Sequence, residues 1–317
     1  MGVVVLLAIV WALVRRFIVR PERIEPTRDA LIILSFIGSL MAASLLAEAF
    51  KLALEGEGFT AWAPISSSLA SLFQEIEHGP ASSLYRAAWW LHLALVFGFL
   101  AFLPHSKHLH IFISPLNIMF RSLKPKGALA PINLEATENF GVSKTQDFTW
   151  RGLMDTYACT ECSRCRENCA TYISQKPLSP KKLILDLKHH LLDAKGEDTT
   201  IIGKAVTEEE IWGCTTCRYC QENCPVAIEH VSKIVDLRRG LVLSEGKMPE
   251  DAGQALRSLE ARGHPWRGTQ ATRSDWSTGL KVKVAGEGDF EYLYWVGCTA
   301  ALEERNQKVA QALVGLP

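Results

Sequence analysis

The chain has 317 residues, with 34 Lys+Arg against 34 Asp+Glu and a formal net charge of zero. That balance excludes nucleic-acid binding driven by surplus cation, so no nucleic acid is expected as a partner. The averages, 48% hydrophobic and 21% charged, are those of a globular protein. They conceal segregation: charge is sparse before residue 105 and dense after it, and eight of the nine cysteines lie between 159 and 224.

Three apolar runs open the chain. Gly2 to Val14 is thirteen residues long and is followed by Arg15-Arg16. Because the cations follow the apolar stretch, it is not a secretory signal; it reads as the end of a spanning helix whose beginning is missing. Ala30 to Ala47 holds eighteen positions without a charge, long enough for a transmembrane helix. Ala87 to Leu103 is a third run, with Tyr85, Trp89 and Trp90 placed as an interfacial aromatic belt. Buried helices of a soluble protein would not need those flanks. In the second run Ser35, Ser39 and Ala43, with Gly38 and Ala42, make ladders of small residues suited to close helix packing.

Loop charges predict the orientation. Arg15, Arg16, Arg20, Arg23 and Arg28 lie between the first two runs, and Lys107, Arg121, Lys124 and Lys126 follow the third. Residues 55–83 carry Glu55, Glu57, Glu75 and Glu77 and no Lys or Arg. The positive-inside rule then puts the first loop and everything after residue 105 in the cytoplasm.

His92 and His110 are eighteen residues apart, five turns of a continuous helix, which would put both rings on one face about 27 Å apart. Intramembrane ionisable groups are usually functional, and imidazole is an axial ligand of haem. His105 and His108 point elsewhere and read as solvated or headgroup-facing. The segment from Trp90 to Asn117, WLHLALVFGFLAFLPHSKHLHIFISPLN, resembles the haem-carrying helix of the respiratory nitrate reductase gamma family, with His92, Pro104 and His110 matching in spacing. The resemblance implies bis-histidine haem b and quinol chemistry. Partner histidines are missing, since the first two runs contain none and His78 in the outer loop is a poor substitute.

The cysteines carry the strongest pattern. Cys159-x2-Cys162-x2-Cys165-x3-Cys169 and Cys214-x2-Cys217-x2-Cys220-x3-Cys224-Pro225 are two copies of the two-cluster ferredoxin run, in which the fourth cysteine ligates the other cluster. One [4Fe–4S] cluster is therefore assigned to Cys159, Cys162, Cys165 and Cys224, the other to Cys214, Cys217, Cys220 and Cys169. Disulfides do not suit a cytoplasmic module, and structural zinc uses paired C-x2–4-C knuckles. Ala170 replaces the proline after the first run without altering a ligand. Arg164, Arg166 and Arg218 beside the ligands read as solvated, and His189, His190 and His230 as surface residues.

Between and after the runs the period is helical. LSPKKLILDLKHHLLDAK (178–195) opens on Ser-Pro and spaces Leu183, Leu187 and Leu191 along one face; a second helix is expected from about Ile228 to Leu243. ACTECSRCRENCATY, KPLSPKKLILDL and WGCTTCRYCQENCPVAI resemble the helical ferredoxin of heterodisulfide reductase, glycolate oxidase and succinate dehydrogenase iron–sulfur subunits. Further on, Lys281 to Val284 alternates, Phe290 to Val296 reads as an apolar aromatic strand, and Gly297-Cys298 opens a helix from about Thr299 to Leu313. This resembles the start of the cysteine-rich domain of heterodisulfide-reductase-type proteins, which implies that Cys298 is a cluster ligand in the complete protein.

The expected architecture is mainly α: a membrane domain (1–125) of transmembrane helices, an α-helical two-cluster ferredoxin domain (145–250), and the first β-α unit of a truncated α/β domain (280–317). Both ends look cut. The order resembles membrane-bound iron–sulfur oxidoreductases related to heterodisulfide reductase, multi-pass proteins of the prokaryotic inner membrane with the iron–sulfur domain cytoplasmic. It implies electron transfer between membrane haem or quinone and two [4Fe–4S] clusters, with a redox partner subunit and a catalytic centre beyond residue 317. The alternative is a non-catalytic iron–sulfur anchor wiring a separate dehydrogenase to the quinone pool.

Overall fold

The computed structural model describes residues 2–22, 24–56, 59–133, 135, 140–193, 199–266 and 271–316. Arg23, Glu57, Ala194 and Lys195, used above in reading the loops and the inter-motif helix, lie outside them. Contacts divide the chain into Met1–Gly240 and Leu241–Pro317, so the expected membrane domain and residues 145–240 of the expected ferredoxin domain fall in one unit and 241–250 in the other.

Helix α1 (Gly2–Leu13) runs on through π-helical turns over Val14–Val19. The helix outlasts its apolar run because arginine stems can lie along the apolar surface with their heads in water. It stops at Arg20, whose backbone is left-handed (φ 46), just ahead of Pro21. Thr27 starts α2 (Arg28–Glu55) by accepting a hydrogen bond from the Ala30 N–H. The following loop, expected from its glutamates, holds the short α3 (Pro64–Ser71), and Ser66 there donates to the Glu48 carboxylate at 2.7 Å. Helix α4 (His78–Phe102) packs on α2, as α1 does. At Gly38 a Cβ would meet the Ile9 side chain at 3.9 Å, and at Gly98 the Phe36 ring at 3.6 Å; small residues let these helices approach.

Gly2–Val19, Arg28–Glu55 and His78–His105 are each long and apolar enough to cross a membrane. Their apolar side chains point outward: Val4, Leu7, Trp11, Trp90 and Phe97 are all more than 60% exposed. In water each would forfeit about 25 cal/mol per Å² of buried apolar area; in lipid nothing is lost. Soluble helices would turn these faces inward.

The third apolar helix does not run on to His110. A 3-10 turn over Leu103–His105, holding Pro104, ends it, and Ser106 is extended (φ −110, ψ 167). The Ser106 hydroxyl caps a second 3-10 turn, Lys107–Leu109, by accepting from the His108 N–H. Only then does α5 (His110–Met119) begin. The expected single face carrying His92 and His110 is thus corrected: proline and an extended residue reset the helical phase between them.

The cysteine-bearing part follows as short helices: α6 (Trp150–Ala158), α7 (Arg164–Glu167), α8 (Ala170–Ile173), α9 (Pro180–Asp193), α10 (Glu208–Trp212), α11 (Tyr219–Glu222) and α12 (His230–Arg239). Their core joins Val142, Leu183, Leu187, Ile201, Val206, Ile211, Ile234 and Leu237. The loop before α6 lies hard against α12. A Cβ on Gly240 would fall 2.4 Å from the Val142 carbonyl oxygen, so a side chain there would push the two segments apart.

The second unit holds α13 (Glu250–Arg262), α14 (Cys298–Leu302) and α15 (Glu304–Val314). The helix expected after Cys298 is broken at Glu303, whose carboxylate caps α15 by accepting from the Asn306 N–H at 2.9 Å. Neither 281–284 nor 290–296 forms a strand; among the described residues the only β pairings are the isolated bridges Lys144–Thr200 and Ile202–Val206. Alternation and aromatic content favour an extended backbone, but a strand also needs a neighbour to receive its N–H and C=O groups.

Candidate functional site: two four-cysteine cavities

The eight clustered cysteines gather in two cavities. One is lined by Cys159, Cys162, Cys165 and Cys224; the other by Cys169, Cys214, Cys217 and Cys220. Each cavity thus takes three cysteines from one run and the last from the other.

Backbone conformation explains how three cysteines of one run converge. Glu161 (φ 56) and Ser163 (φ 66) are left-handed in the first run, and Thr216 (φ 55) and Arg218 (φ 65) occupy the equivalent places in the second. Left-handed non-glycine residues cost roughly 1 kcal/mol or more and persist only where their surroundings hold them. Here they fold each C-x2-C-x2-C stretch back on itself, and α7 or α11 then carries the third cysteine inward. Backbone N–H groups point at two sulfurs: Thr216 donates to Cys214 Sγ at 3.3 Å and Ile228 to Cys224 Sγ at 3.4 Å.

The two cavities share their walls. On the first turn of α9, Pro180 faces the Cys214 cavity and Lys181 the Cys159 cavity. On the first turn of α12, Val231 and His230 divide in the same way. Two helix N-termini, each carrying a partial positive charge, therefore abut both cavities, as suits an anionic cubane held by thiolates. Lys181 is buried and ion-paired with Glu25 at 2.8 Å. His230, expected on the surface, is buried, and its Nδ1 donates to the Ile228 carbonyl at 3.1 Å. Burial, with Lys233 close by, pushes its imidazole down to about 4, so it stays neutral. Neither residue carries a sequence signal of its role; the cavity is built by tertiary contact.

Burial pushes the thiols up, Cys159 to about 11 and Cys220 to about 12, with Cys165 higher still and neighbouring thiols adding to each. Thiols so placed keep their protons at neutral pH until a metal displaces them. Among the described residues no three His, Cys, Asp or Glu side chains converge closely enough for a single metal ion.

The Cys159 cavity is tied to the segment that follows the third apolar helix. Ile113 of α5 packs on Ala158, Ile184, Val226 and Ile228 together with Cys159 and Cys224. Asn117, fully buried, donates through Nδ2 to Asp155 Oδ1 and to the Val226 carbonyl, both at 2.8 Å, and accepts from Arg151 at 2.5 Å. Asp155 also pairs with Arg151 at 2.6 Å and with the buried Lys233. Burial alone would raise the Asp155 carboxyl; Lys233, Arg151 and the Asn117 amide outweigh it and hold it below the usual carboxylate range. Ser114 completes the join by donating to the Ala158 carbonyl at 3.1 Å.

Two of the arginines beside the ligands, Arg166 and Arg218, are engaged. Arg166 donates to the Glu22 carbonyl at 3.0 Å and lies over the Tyr172 ring, and Arg218 pairs with Glu222 at 2.8 Å. Cys298 opens α14 with Gly297 as its cap.

His92 and His110 each donate from Nδ1 to a backbone carbonyl, Leu40 at 3.1 Å and Lys107 at 2.6 Å, which leaves Nε2 to accept. Yet α1 and α2 hold no histidine, and His110 belongs to a separate helix beside His108, ring centroids 5.8 Å apart. The described helices offer neither ring a partner across a haem, so these residues do not by themselves fit a bis-histidine site.

Residues 155–228 match the 4Fe-4S dicluster domain family. The chain is 36% identical over 357 residues to the probable iron-sulfur-binding oxidoreductase FadF of Bacillus subtilis, covering 96% of this chain and 50% of that protein. It is 34% identical over 347 residues to the EtfAB:quinone oxidoreductase of Syntrophomonas wolfei, covering 95% and 48%. A third relative is one of the polypeptides of the dihydromethanophenazine:CoB–CoM heterodisulfide reductase of Methanosarcina acetivorans. It is 30% identical over 178 residues, 50% of this chain and 41% of that protein. This chain is related to the iron–sulfur oxidoreductases of the heterodisulfide-reductase type. It spans about half the length of FadF and of the EtfAB:quinone oxidoreductase. No solved structure matches.

Proposed function

We propose that the chain is the membrane and ferredoxin portion of an iron–sulfur oxidoreductase that moves electrons between a membrane quinone and two [4Fe–4S] clusters. The observation that carries this is the pair of cavities, each lined by four cysteines drawn from both runs and both walled by the first turns of α9 and α12. Cys159, Cys162, Cys165 and Cys224 would hold one cluster, and Cys169, Cys214, Cys217 and Cys220 the other. The clusters supply one-electron relay. The chain's own residues place Lys181 against the first cluster and fasten that cluster through α5 to the segment that follows the third apolar helix.

In this reading the three apolar helices cross the prokaryotic inner membrane, with the arginines between the first two helices and the ferredoxin part on the cytoplasmic side. The relative named EtfAB:quinone oxidoreductase supports quinone as the membrane partner, and a further redox subunit would exchange electrons at the clusters. Cys298 would ligate a cluster only in a longer protein. A haem at His92 or His110 would take its second imidazole from outside the three helices.

The test is anaerobic purification from membranes. The proposal expects about eight iron atoms per chain, as two cubanes require, broad absorption near 400 nm, an EPR signal on reduction, and re-oxidation of the reduced protein by a quinone. A colourless zinc protein would overturn it. Clusters that form but never exchange electrons with quinone would remove the membrane half.

A further inference from the structure

We propose that the recess where α2 and the α4 break meet α6 and α9 is the binding site for a quinone headgroup; this rests on the function proposed above. The recess has a volume of about 470 Å³, within the range of ordinary small-molecule pockets. Its position is the first argument. One wall is Thr27 and Asp29 at the start of α2, and another is Pro104 and His105 where the third apolar helix ends. Two membrane-length helices therefore end at its rim, and a ligand there can keep its tail in lipid and its head outside the hydrocarbon.

Its neighbour is the second argument. Glu161 lines both this recess and the Cys159 cavity, so the headgroup would sit one side chain away from the first four-cysteine site.

The lining chemistry is the third. Leu109, Leu185 and Leu192 offer apolar faces to a ring, while Tyr157, Lys188 and His189 bring donors to carbonyl oxygens, which only accept. The Lys188 ammonium lies 5.5 Å from the centre of the Tyr157 ring, holding both on the α6–α9 side. The charge balance argues against an anionic lipid headgroup. Lys107 is already engaged, its ammonium 3.8 Å from Glu161 and its N–H on Asp29 at 3.0 Å. With Glu25 also on the wall, carboxylates match the basic side chains, whereas a phosphate would need surplus cation. A neutral, carbonyl-bearing amphiphile suits the site.

The test is photo-crosslinking of the cluster-loaded protein in lipid nanodiscs with an azidoquinone, followed by peptide mapping. The expected result is labelling of peptides from 104–109 and 185–192, displaced by excess unlabelled quinone. Leu185→Trp and, on the opposite wall, Leu109→Trp should each reduce that labelling at least tenfold while the reduced-cluster EPR spectrum, which reports folding around both cavities, is unchanged. Labelling elsewhere, or full labelling in both tryptophan variants, overturns the site and leaves the electron-transfer proposal standing. Label displaced by phosphatidylglycerol and not by quinone assigns the recess to lipid and overturns it too. Absence of any displaceable label, together with no quinone-driven re-oxidation of the wild-type clusters, overturns both.

Discussion

The two cysteine cavities are built from near-identical sequence runs and sit in unlike surroundings. Both use the same pair of left-handed residues and the same three-plus-one cysteine pattern. The Cys159 cavity has buried Lys181 and His230 on its walls and a buried polar network, Asn117–Asp155–Arg151–Lys233, behind it. The Cys214 cavity has Tyr219 and Arg218 instead, its Cys217 is exposed, and α10 leads into it from a capping box. The spacing makes the basket; the surroundings decide which basket packs against α5 and which leaves a cysteine exposed.

That contrast can be broken first at Asp155. Asp155→Ala leaves Lys233 buried without its partner, which costs about 3–5 kcal/mol. The expected outcome is a large fall in the denaturation midpoint, with the Cys159-site EPR signal lost before the other. Simultaneous loss of both signals would show that the network serves the whole module and not one cavity. Next is Lys181→Met. Removing a buried cation from the wall makes the added electron less welcome, so the Cys159-site cluster should become harder to reduce while its partner barely moves; a redox titration followed by EPR reads both.

Acid should sharpen the same difference. The folded-state Asp155 carboxyl lies below its ordinary value of 3.8. Its pairing therefore stabilises the fold above that value, and the contribution is lost as pH falls through the depressed folded value. Urea midpoints should drop from pH 5 to pH 3 by more in the wild type than in Asp155→Asn, where there is no carboxylate to protonate. The smallest effect is expected at Thr207, which accepts from the Glu210 N–H at 3.2 Å while Glu210 accepts from the Thr207 N–H at 2.9 Å. Thr207→Ala should cost about 1 kcal/mol and leave both EPR signals in place.

Much of this was legible in the sequence where a single physical rule acts along the chain. Apolar runs of membrane length, the helix opening at Ser179-Pro180, and cysteines at cluster spacing all depend on neighbours a few residues away. The break at Ser106 was harder: Pro104 was visible, but the capping that separates α5 is a local hydrogen-bond choice, and helix phase does not survive it. Buried Lys181, Lys233 and His230 were not legible, because a polar residue is buried only when a distant partner meets it, here Glu25, Asp155 and the Ile228 carbonyl. The 290–296 segment has a strand's side chains and, among the described residues, no neighbouring strand, which composition cannot foretell.

The central claim is that each cavity's cluster takes its fourth ligand from the other run. The most direct measurement is EPR of the reduced protein in two pairs of cysteine variants. Cys224→Ser and Cys162→Ser should weaken or remove the same signal, and Cys169→Ser and Cys217→Ser should remove the other. If Cys224→Ser instead shares its loss with Cys217→Ser, each run holds its own cluster and the account is wrong.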